Sequence, residues 1–294
     1  VRFGCHFQNL FTGGKILLIV VFIVLGFFVM NPQNITLVPS RSDLGSMFSP
    51  GFAISLVYVF YAYSGWNSSS YIAGEILRPE RNLPISLFLG AAFVSLCYCL
   101  INYIFLYTVP MSELSGQIDV GYLSAKSIFG QRGGAMMTVL ICLALISSLS
   151  SLIMVGPRVT QTMSEDMKSL RFLAKRNARG APVFAIVLQA VVAIFLTLTA
   201  TFNAVLTYVG FTLALFASLT VLGVFVLRRR HPHLKRPFKT WGYPVTPAIF
   251  LLLYGWMIGY LVIERPLPSV FGLLTVASGL LLYKLLATTE PRRS

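Results

Sequence analysis

Charged residues are scarce in this sequence of 294 residues. Lysine and arginine occupy 23 positions and aspartate and glutamate only 9, so charged residues make up 11% of the chain, against roughly 25% in soluble domains. Hydrophobic residues make up 56%, which excludes a disordered chain and an ordinary soluble domain. Eight stretches are apolar over the roughly 20 residues that a helix needs to cross a bilayer. These runs are continuous and not alternating, so we expect an all-α polytopic membrane protein.

The sequence also has few cysteines, few histidines and few acidic residues in its apolar segments, and this argues against disulfide, metal and catalytic sites. Of the four cysteines, Cys97, Cys99 and Cys142 lie in apolar segments, where cysteine is typically a small hydrophobic residue and not part of a disulfide framework. No acidic residue lies well inside an apolar segment, and the three histidines lie outside the apolar cores. The sequence therefore predicts no metal site, no cofactor and no catalytic nucleophile–base pair.

The distribution of lysine and arginine along the chain predicts its orientation in the membrane. An even number of spans puts both termini on one side, and most lysines and arginines fall on that side, concentrated in 158–179 and 228–239. Cytoplasmic loops are enriched in these residues, so we expect both termini in the cytoplasm. The net charge of +14 then indicates topology and contact with anionic headgroups of the lipid bilayer, and no nucleic-acid partner. The predicted apolar segments are 3–30, 51–77, 84–108, 135–155, 183–201, 204–227, 245–263 and 267–286.

The second apolar segment is interrupted by residues that form helices poorly. Ser64-Gly65 is followed by Trp66, Asn67 and three serines, and glycine and serine lower helix propensity. Irregular backbone is tolerated at membrane depth only where it is buried in protein or lines a cavity. A broken helix presents free N–H and carbonyl groups that bind an ionic substrate near the midplane. The alternative is a small-residue face for helix packing.

Lys15 is a second polar feature. If the first helix begins near Phe3, Lys15 lies about 18 Å along it, and a lysine at that depth is a functional candidate. If the helix begins instead near Gly13-Gly14, the lysine side chain reaches the membrane interface.

The fourth apolar segment carries a cluster of hydroxyl groups. Ser147, Ser148 and Ser151 lie on one face of a helix because they are three and four positions apart. Such a face either lines a solute or ion pathway or bonds back to carbonyls of its own helix.

Three segments of the chain resemble motifs of one family. Residues 60–67, Phe60-Tyr61-Ala62-Tyr63-Ser64-Gly65-Trp66-Asn67, followed by 75–84, closely resemble the sixth helix and following loop of amino-acid permeases of the amino acid–polyamine–organocation superfamily. Residues 156–159 resemble the end of the family's helix eight, and residues 236–247 resemble the approach to its helix eleven. The three matches occur in the family's order and spacing.

The resemblance implies a LeuT-type fold, in which two five-helix inverted repeats surround a site near the membrane midplane. On this register the chain is a single transmembrane domain, 1–294, that corresponds to family helices five to twelve. Residues 3–30 form the last helix of the first repeat, 51–230 the second repeat, and 245–287 two C-terminal helices. We expect an N-terminally truncated protein that lacks the glycine-rich break of helix one and does not transport unaided.

The resemblance also implies a substrate site at the broken helix. Its residues are Tyr61, Ala62, Ser64, Gly65, Trp66 and Asn67. In the family's pattern, backbone carbonyls of Tyr61, Ala62 and Ser64 receive the ammonium group of the substrate. Trp66 and Asn67 shape the pocket. Ser64 stands where many relatives have glycine, and Tyr61 where several have phenylalanine or tryptophan.

Roles in coupling and gating follow from the same resemblance. Sodium-independent members have a lysine in helix five where sodium-coupled relatives place an ion, and Lys15 falls at that register. Together with Ser147, Ser148 and Ser151, its ammonium group would replace the cation. Glu75 would belong to the inner gate, although Gly74-Glu75 replaces a frequent pair of acids.

These features together predict secondary active transport of amino acids by alternating access at the plasma (cell inner) membrane. We expect sodium independence, with proton coupling and exchange both open. The expected partners are an amino acid substrate and the lipid bilayer. Two alternatives remain: a non-transporting membrane binding or scaffold remnant of a permease, and a polyamine or organic-cation transporter of the same superfamily.

Overall fold

Helices form nearly all of the regular structure. The computed structural model describes residues 2–288 apart from 37, 39, 72, 179 and 237, and describes only the backbone of 2–8, 42, 71, 75, 166, 168, 287 and 288. This part contains no β-strand, which confirms the all-α class. The helices are α1 Arg2–Gly26, α2 Arg41–Met47, α3 Pro50–Ala62, α4 Ser68–Tyr71, α5 Pro79–Thr108, α6 Met111–Leu114, α7 Val120–Asp166, α8 Val183–Thr199, α9 Phe202–Arg230, α10 Val245–Glu264 and α11 Pro266–Thr288, with 3₁₀ helices at Ala73–Glu75 and Lys168–Ala174.

The long apolar helices correspond to the predicted spans. Six of the described helices are long and apolar enough to cross a membrane, and two shorter apolar helices, α3 and α8, accompany them. Each predicted apolar segment overlaps one of these eight helices. The chain is therefore a polytopic helical membrane protein. The six long spans are Asn9–Gly26, Pro79–Thr108, Val120–Glu165, Phe202–Arg230, Val245–Glu264 and Pro266–Leu286.

The chain divides into two compact units that are discontinuous in sequence. The first unit comprises Val1–Val38 and Ile85–Val155, and the second comprises Pro39–Pro84 and Gly156–Ser294. Both α5 and α7 pass from one unit into the other, because the divisions fall inside these helices. The division into repeats at 3–30, 51–230 and 245–287 stays a prediction.

The core of the first unit is apolar. Phe22 and Ile23 of α1 are buried together with Ile104 of α5 and with Ala125 and Met137 of α7. A methyl group at Gly26 would overlap the side chain of Ile104, so the glycine permits the close approach of α1 and α5.

The helix α7 is bent near its amino end. Gly130 has φ 75° and ψ −175°, which is not helical, and glycine adopts this conformation without the steric cost that a side chain brings. The predicted segment 135–155 covers only the part of the helix after this bend. The earlier part was missed because Lys126 and its neighbours interrupt the apolar run.

The core of the second unit joins α3, α9 and α10. Val57, Phe211, Ala214, Met257 and Leu261 form a buried cluster, each at most 3% exposed. Their burial supplies the packing contacts that hold helices together where the surrounding solvent is itself apolar.

An arginine closes the carboxyl end of α9. The guanidinium of Arg236 donates hydrogen bonds to the carbonyls of Leu227 (3.3 Å), His231 (2.8 Å) and Leu234 (3.0 Å). The Leu227 carbonyl also accepts from the N–H of His231 (2.9 Å), and the planar guanidinium adds bonds to this carbonyl and to two carbonyls of the following loop at once. Beside it, the guanidinium carbon of Arg228 lies 3.7 Å from the centre of the Tyr243 ring. The loop after α9 is thereby held against the helix end.

Glycine 210 offers a test of the packing between α3 and α9. A Cβ at Gly210 would lie 2.6 Å from Cγ1 of Val57, and Val57 is 1% exposed, so its side chain has no room to move. We expect Gly210→Ala to destabilise the protein by about 1–3 kcal/mol and to lower the melting temperature measured in detergent. Gly223→Ala, in the same helix with nothing within 4 Å, is the control. It should leave the melting temperature unchanged or raise it, and equal losses in both variants would contradict this packing.

Candidate functional site

The interruption expected in the second apolar segment is a non-helical connection between two helical pieces. The helix α3 ends at Ala62, and α4 begins at Ser68. Gly65, in the middle of the connection, has φ 103°, a conformation that side chains disfavour. The second piece is shorter than expected, because α4 has four residues and a 3₁₀ helix, Ala73–Glu75, follows it. The serines and Gly74 in this stretch have low helix propensity.

Tight turns occupy part of the backbone at the break. The N–H of Tyr63 donates to the Val59 carbonyl (3.0 Å), and the N–H of Ser64 donates to the Tyr61 carbonyl (3.0 Å). The Gly65 carbonyl accepts from the N–H of Ser68 (3.0 Å). Within the described residues, the N–H groups of Gly65 and Trp66 have no acceptor. The break therefore leaves polar backbone groups available for a ligand.

The side chains at the break differ in their exposure. Tyr61 is 40% exposed and Trp66 is 52% exposed, so two aromatic faces are accessible. Ser64 and Asn67 are half-buried, and Ala62 is exposed. The six residues predicted to bind substrate thus lie in one short segment that combines accessible rings with irregular backbone.

Lys15 lies inside a continuous helix. The helix α1 runs from Arg2 to Gly26 without interruption at Gly13 or Gly14, so Lys15 is about 16 Å from its carboxyl end. The ammonium nitrogen Nζ donates a hydrogen bond to Oγ of Ser148 at 2.9 Å. The alternative in which the helix begins near Gly13-Gly14 is not the one observed.

The three serines of α7 have different environments. Ser148 accepts from Lys15 and donates to the Ala144 carbonyl at 3.2 Å. Ser151 donates to the Ser147 carbonyl at 3.1 Å. The side chain of Ser147 is fully buried, and its Oγ has no hydrogen-bond partner within the described residues. A buried hydroxyl without a partner costs about 1–3 kcal/mol, so this position is suited to a bound polar group.

The predicted site residues belong to both compact units. Lys15 and the three serines belong to the first unit, and residues 61–67 belong to the second. The backbone of Glu75 forms the end of a 3₁₀ helix, but its side chain lies outside the described part, so its gating role stays a prediction.

Sequence reasoning missed two features of the second unit. A Cβ at Gly156 would lie 2.6 Å from Oε1 of Gln189, so the glycine of the 156–159 motif permits close contact with α8. A cavity of about 890 Å³ also lies where the α8–α9 and α10–α11 turns meet. In the sequence, this region is marked by the adjacent charges of Glu264 and Arg265 between two apolar segments.

Comparison with known proteins identifies the family. Residues 1–281 match the profile of the amino acid permease family. The chain belongs to the amino acid permease family. It is similar to the human b(0,+)-type amino acid transporter 1, with 28% identity over 96% of this chain and 58% of the relative. It is also similar to the mouse large neutral amino acids transporter small subunit 2, with 24% identity over 96% of this chain and 54% of the relative.

The chain is shorter than these relatives. This permease chain spans just over half the length of the curated relatives it matches. These relatives are transporters and not enzymes, in agreement with the prediction of a non-enzymatic protein.

Gly65 provides a test of the backbone at the break. We expect Gly65→Ala to destabilise the protein by about 1–2 kcal/mol, because alanine disfavours positive φ, and to lower the melting temperature in detergent. Gly65→Asn should lower the melting temperature less, since asparagine tolerates positive φ better than alanine does. Gly74→Ala is the control, because Gly74 has open space around it and no positive φ. A loss at Gly74 as large as that at Gly65 would contradict the requirement for glycine at the break.

Proposed function

We propose that this permease mediates secondary active transport of amino acids by alternating access, with the substrate bound at the broken helix. The non-helical connection at residues 63–67 carries the proposal. Helix ends inside a membrane protein present partial charges on carbonyl and N–H groups that water does not screen. A zwitterion carries an ammonium group for the carbonyls at the end of α3 and a carboxylate for N–H donors.

The composition of the break favours a neutral amino acid over a polycation. Residues 61–67 contain no acidic residue, whereas a polyamine would need anionic partners for each charge. The exposed rings of Tyr61 and Trp66 offer contact area for an apolar side chain. The names of the relatives, which refer to amino acids and to large neutral amino acids, support this substrate class.

The contact between Lys15 and Ser148 supports sodium independence. An ammonium group within a membrane-spanning helix, bonded to a serine at 2.9 Å, supplies a positive charge without a metal ion. Ser147, with its unpartnered hydroxyl, extends the same polar group of residues. We propose that Lys15, Ser147, Ser148 and Ser151 form the coupling site, acting through proton transfer or through a fixed charge in exchange.

The proposal also includes the inner gate, the membrane orientation and the arrangement of the helices. Glu75 acts at the inner gate, and the protein lies in the plasma (cell inner) membrane with both termini in the cytoplasm. The helices form a LeuT-type arrangement in which residues 51–230 are one repeat. Since this chain spans 58% of the length of the human relative, we propose that transport also requires the remainder of that length.

Uptake into proteoliposomes tests the proposed function. Labelled leucine uptake is measured for this chain and for a chimera in which the N-terminal region of the human relative precedes Val1. We expect saturable uptake by the chimera and none by the chain alone. Robust uptake by the chain alone would contradict the need for further helices. A chimera that neither transports leucine nor gains thermal stability from it would favour the scaffold alternative.

The role of Lys15 is tested in the transporting form. Lys15→Met removes the charge but keeps most of the side-chain volume, so we expect transport to fall at least tenfold, about 1.4 kcal/mol, or its dependence on pH between about 5 and 8 to shift. Lys126→Met, at an exposed position of the same unit, is the matched control. Unchanged transport by Lys15→Met across this pH range would reject the coupling role.

A further inference from the structure

The cavity of the second unit is separate from the proposed substrate site. Its volume is about 890 Å³, and its lining comes from the turn between α8 and α9, the turn between α10 and α11, and the adjoining helix ends, with Tyr58 of α3. None of residues 61–67 lines it. The cavity therefore calls for an explanation other than binding at the broken helix.

The apolar part of the lining comes from two helices. Phe195 and Leu196 of α8 face the cavity together with Leu267 and Phe271 of α11. The rings of Phe195 and Phe271 are about 60% exposed, so the walls offer free apolar surface. Hydrocarbon chains are the natural occupant of such a surface in a membrane protein.

Most hydroxyl groups of the lining are bonded within the protein; the hydroxyl of Tyr58 has no recorded partner among the described residues. Tyr208 and Thr275 share a hydrogen bond of 3.0 Å that joins α9 to α11. Thr199 donates to the Phe195 carbonyl at 2.7 Å, and Thr201 accepts from the N–H of Ala204 at 3.3 Å. These bonds join the elements around the cavity, and the charged residues of the lining add a further polar requirement.

That requirement comes from two opposite charges. Glu264 and Arg265 are adjacent, exposed and both in the cavity lining. Within the described residues, neither side chain has an ion-pair or hydrogen-bond partner. Ser269, 1% exposed, donates to the carbonyls of Leu261 (3.1 Å) and Arg265 (2.9 Å), which holds the turn in place. Two fixed, unpaired charges of opposite sign complement a zwitterion.

Depth and size identify the kind of zwitterion. The cavity lies at the ends of apolar helices; α10, with 20 residues, is about 30 Å long, the thickness of the hydrocarbon core. Its ends therefore lie at the level of the lipid headgroups. A cavity near the upper end of the usual range, roughly 300–1,000 Å³, is larger than an amino acid needs.

We propose that this cavity binds a zwitterionic phospholipid. The phosphate faces Arg265, the headgroup ammonium faces Glu264, and an acyl chain lies along Phe195 and Phe271. The site does not depend on the proposed transport function, because it shares no residue with the broken helix or with the Lys15 group.

Native mass spectrometry of the purified chain tests the proposal. Phosphatidylcholine and phosphatidylglycerol with identical acyl chains are compared as probes, since only the first is zwitterionic. We expect the chain to retain phosphatidylcholine with about tenfold higher affinity. The double variant Glu264→Gln, Arg265→Gln should bind the two lipids equally. Glu113→Gln with Arg132→Gln, the same charge changes in helices α6 and α7 of the first unit, should keep the preference.

A second variant tests the cavity without changing its charge. Ala200 lines the cavity and is exposed, so Ala200→Trp should fill space and reduce phosphatidylcholine retention about tenfold without altering the melting temperature in lipid-free detergent. Three results would overturn the proposal: a preference that survives in the Glu264 and Arg265 variant, retention unaffected by Ala200→Trp, or displacement of the lipid by free leucine. The last result would assign the cavity to amino acids.

Discussion

The structure depends on one constraint, the need to satisfy backbone polar groups where water is absent. In a bilayer core a lone N–H or carbonyl costs several kcal/mol, and a continuous helix is the simplest way to avoid this cost. The six long apolar helices follow this rule over most of their length, with a bend at Gly130 in α7. The break between Ala62 and Ser68 departs from it, which is tolerated only where protein or a cavity receives the freed groups. A departure of this kind is the strongest local reason to assign a function to residues 61–67.

Helix association in such a protein relies on fit, because apolar side chains gain little from leaving lipid for protein. The packing of α9 illustrates this: Gly210 accommodates Val57 of α3, and Gly272 of α11 lies against Phe211, where a Cβ would be 2.5 Å from the ring. Small residues at these contacts bring the helices close enough for the buried cluster of the second unit to form. The glycines therefore determine the spacing of the helices that shape the cavity near Glu264 and Arg265.

Four charged side chains lie at positions that bear on the proposed functions. Lys15 is bonded to Ser148, Arg236 bonds to carbonyls at the end of α9, and Glu264 and Arg265 lie in the turn between α10 and α11 that lines the cavity. Of these four groups, two are bonded within the protein and two are exposed at the cavity. The few charges of the chain therefore include some at positions where the proposals for coupling and lipid binding can be tested.

The sequence by itself determined the class, the spans and the position of the broken helix, because apolar run length and the low helix propensity of Ser64-Gly65 act locally. It also pointed to Lys15 and to the serines separately, and only the resemblance to the family implied that they act together. The bond from Lys15 to Ser148 joins residues 133 apart, and the isolation of the Ser147 hydroxyl depends on what packs around it. The bend at Gly130 and the cavity beside Glu264 likewise arise from backbone geometry and from the meeting of distant turns. Only the tertiary structure decides such features, because periodicity along one helix carries no information on which helix lies opposite.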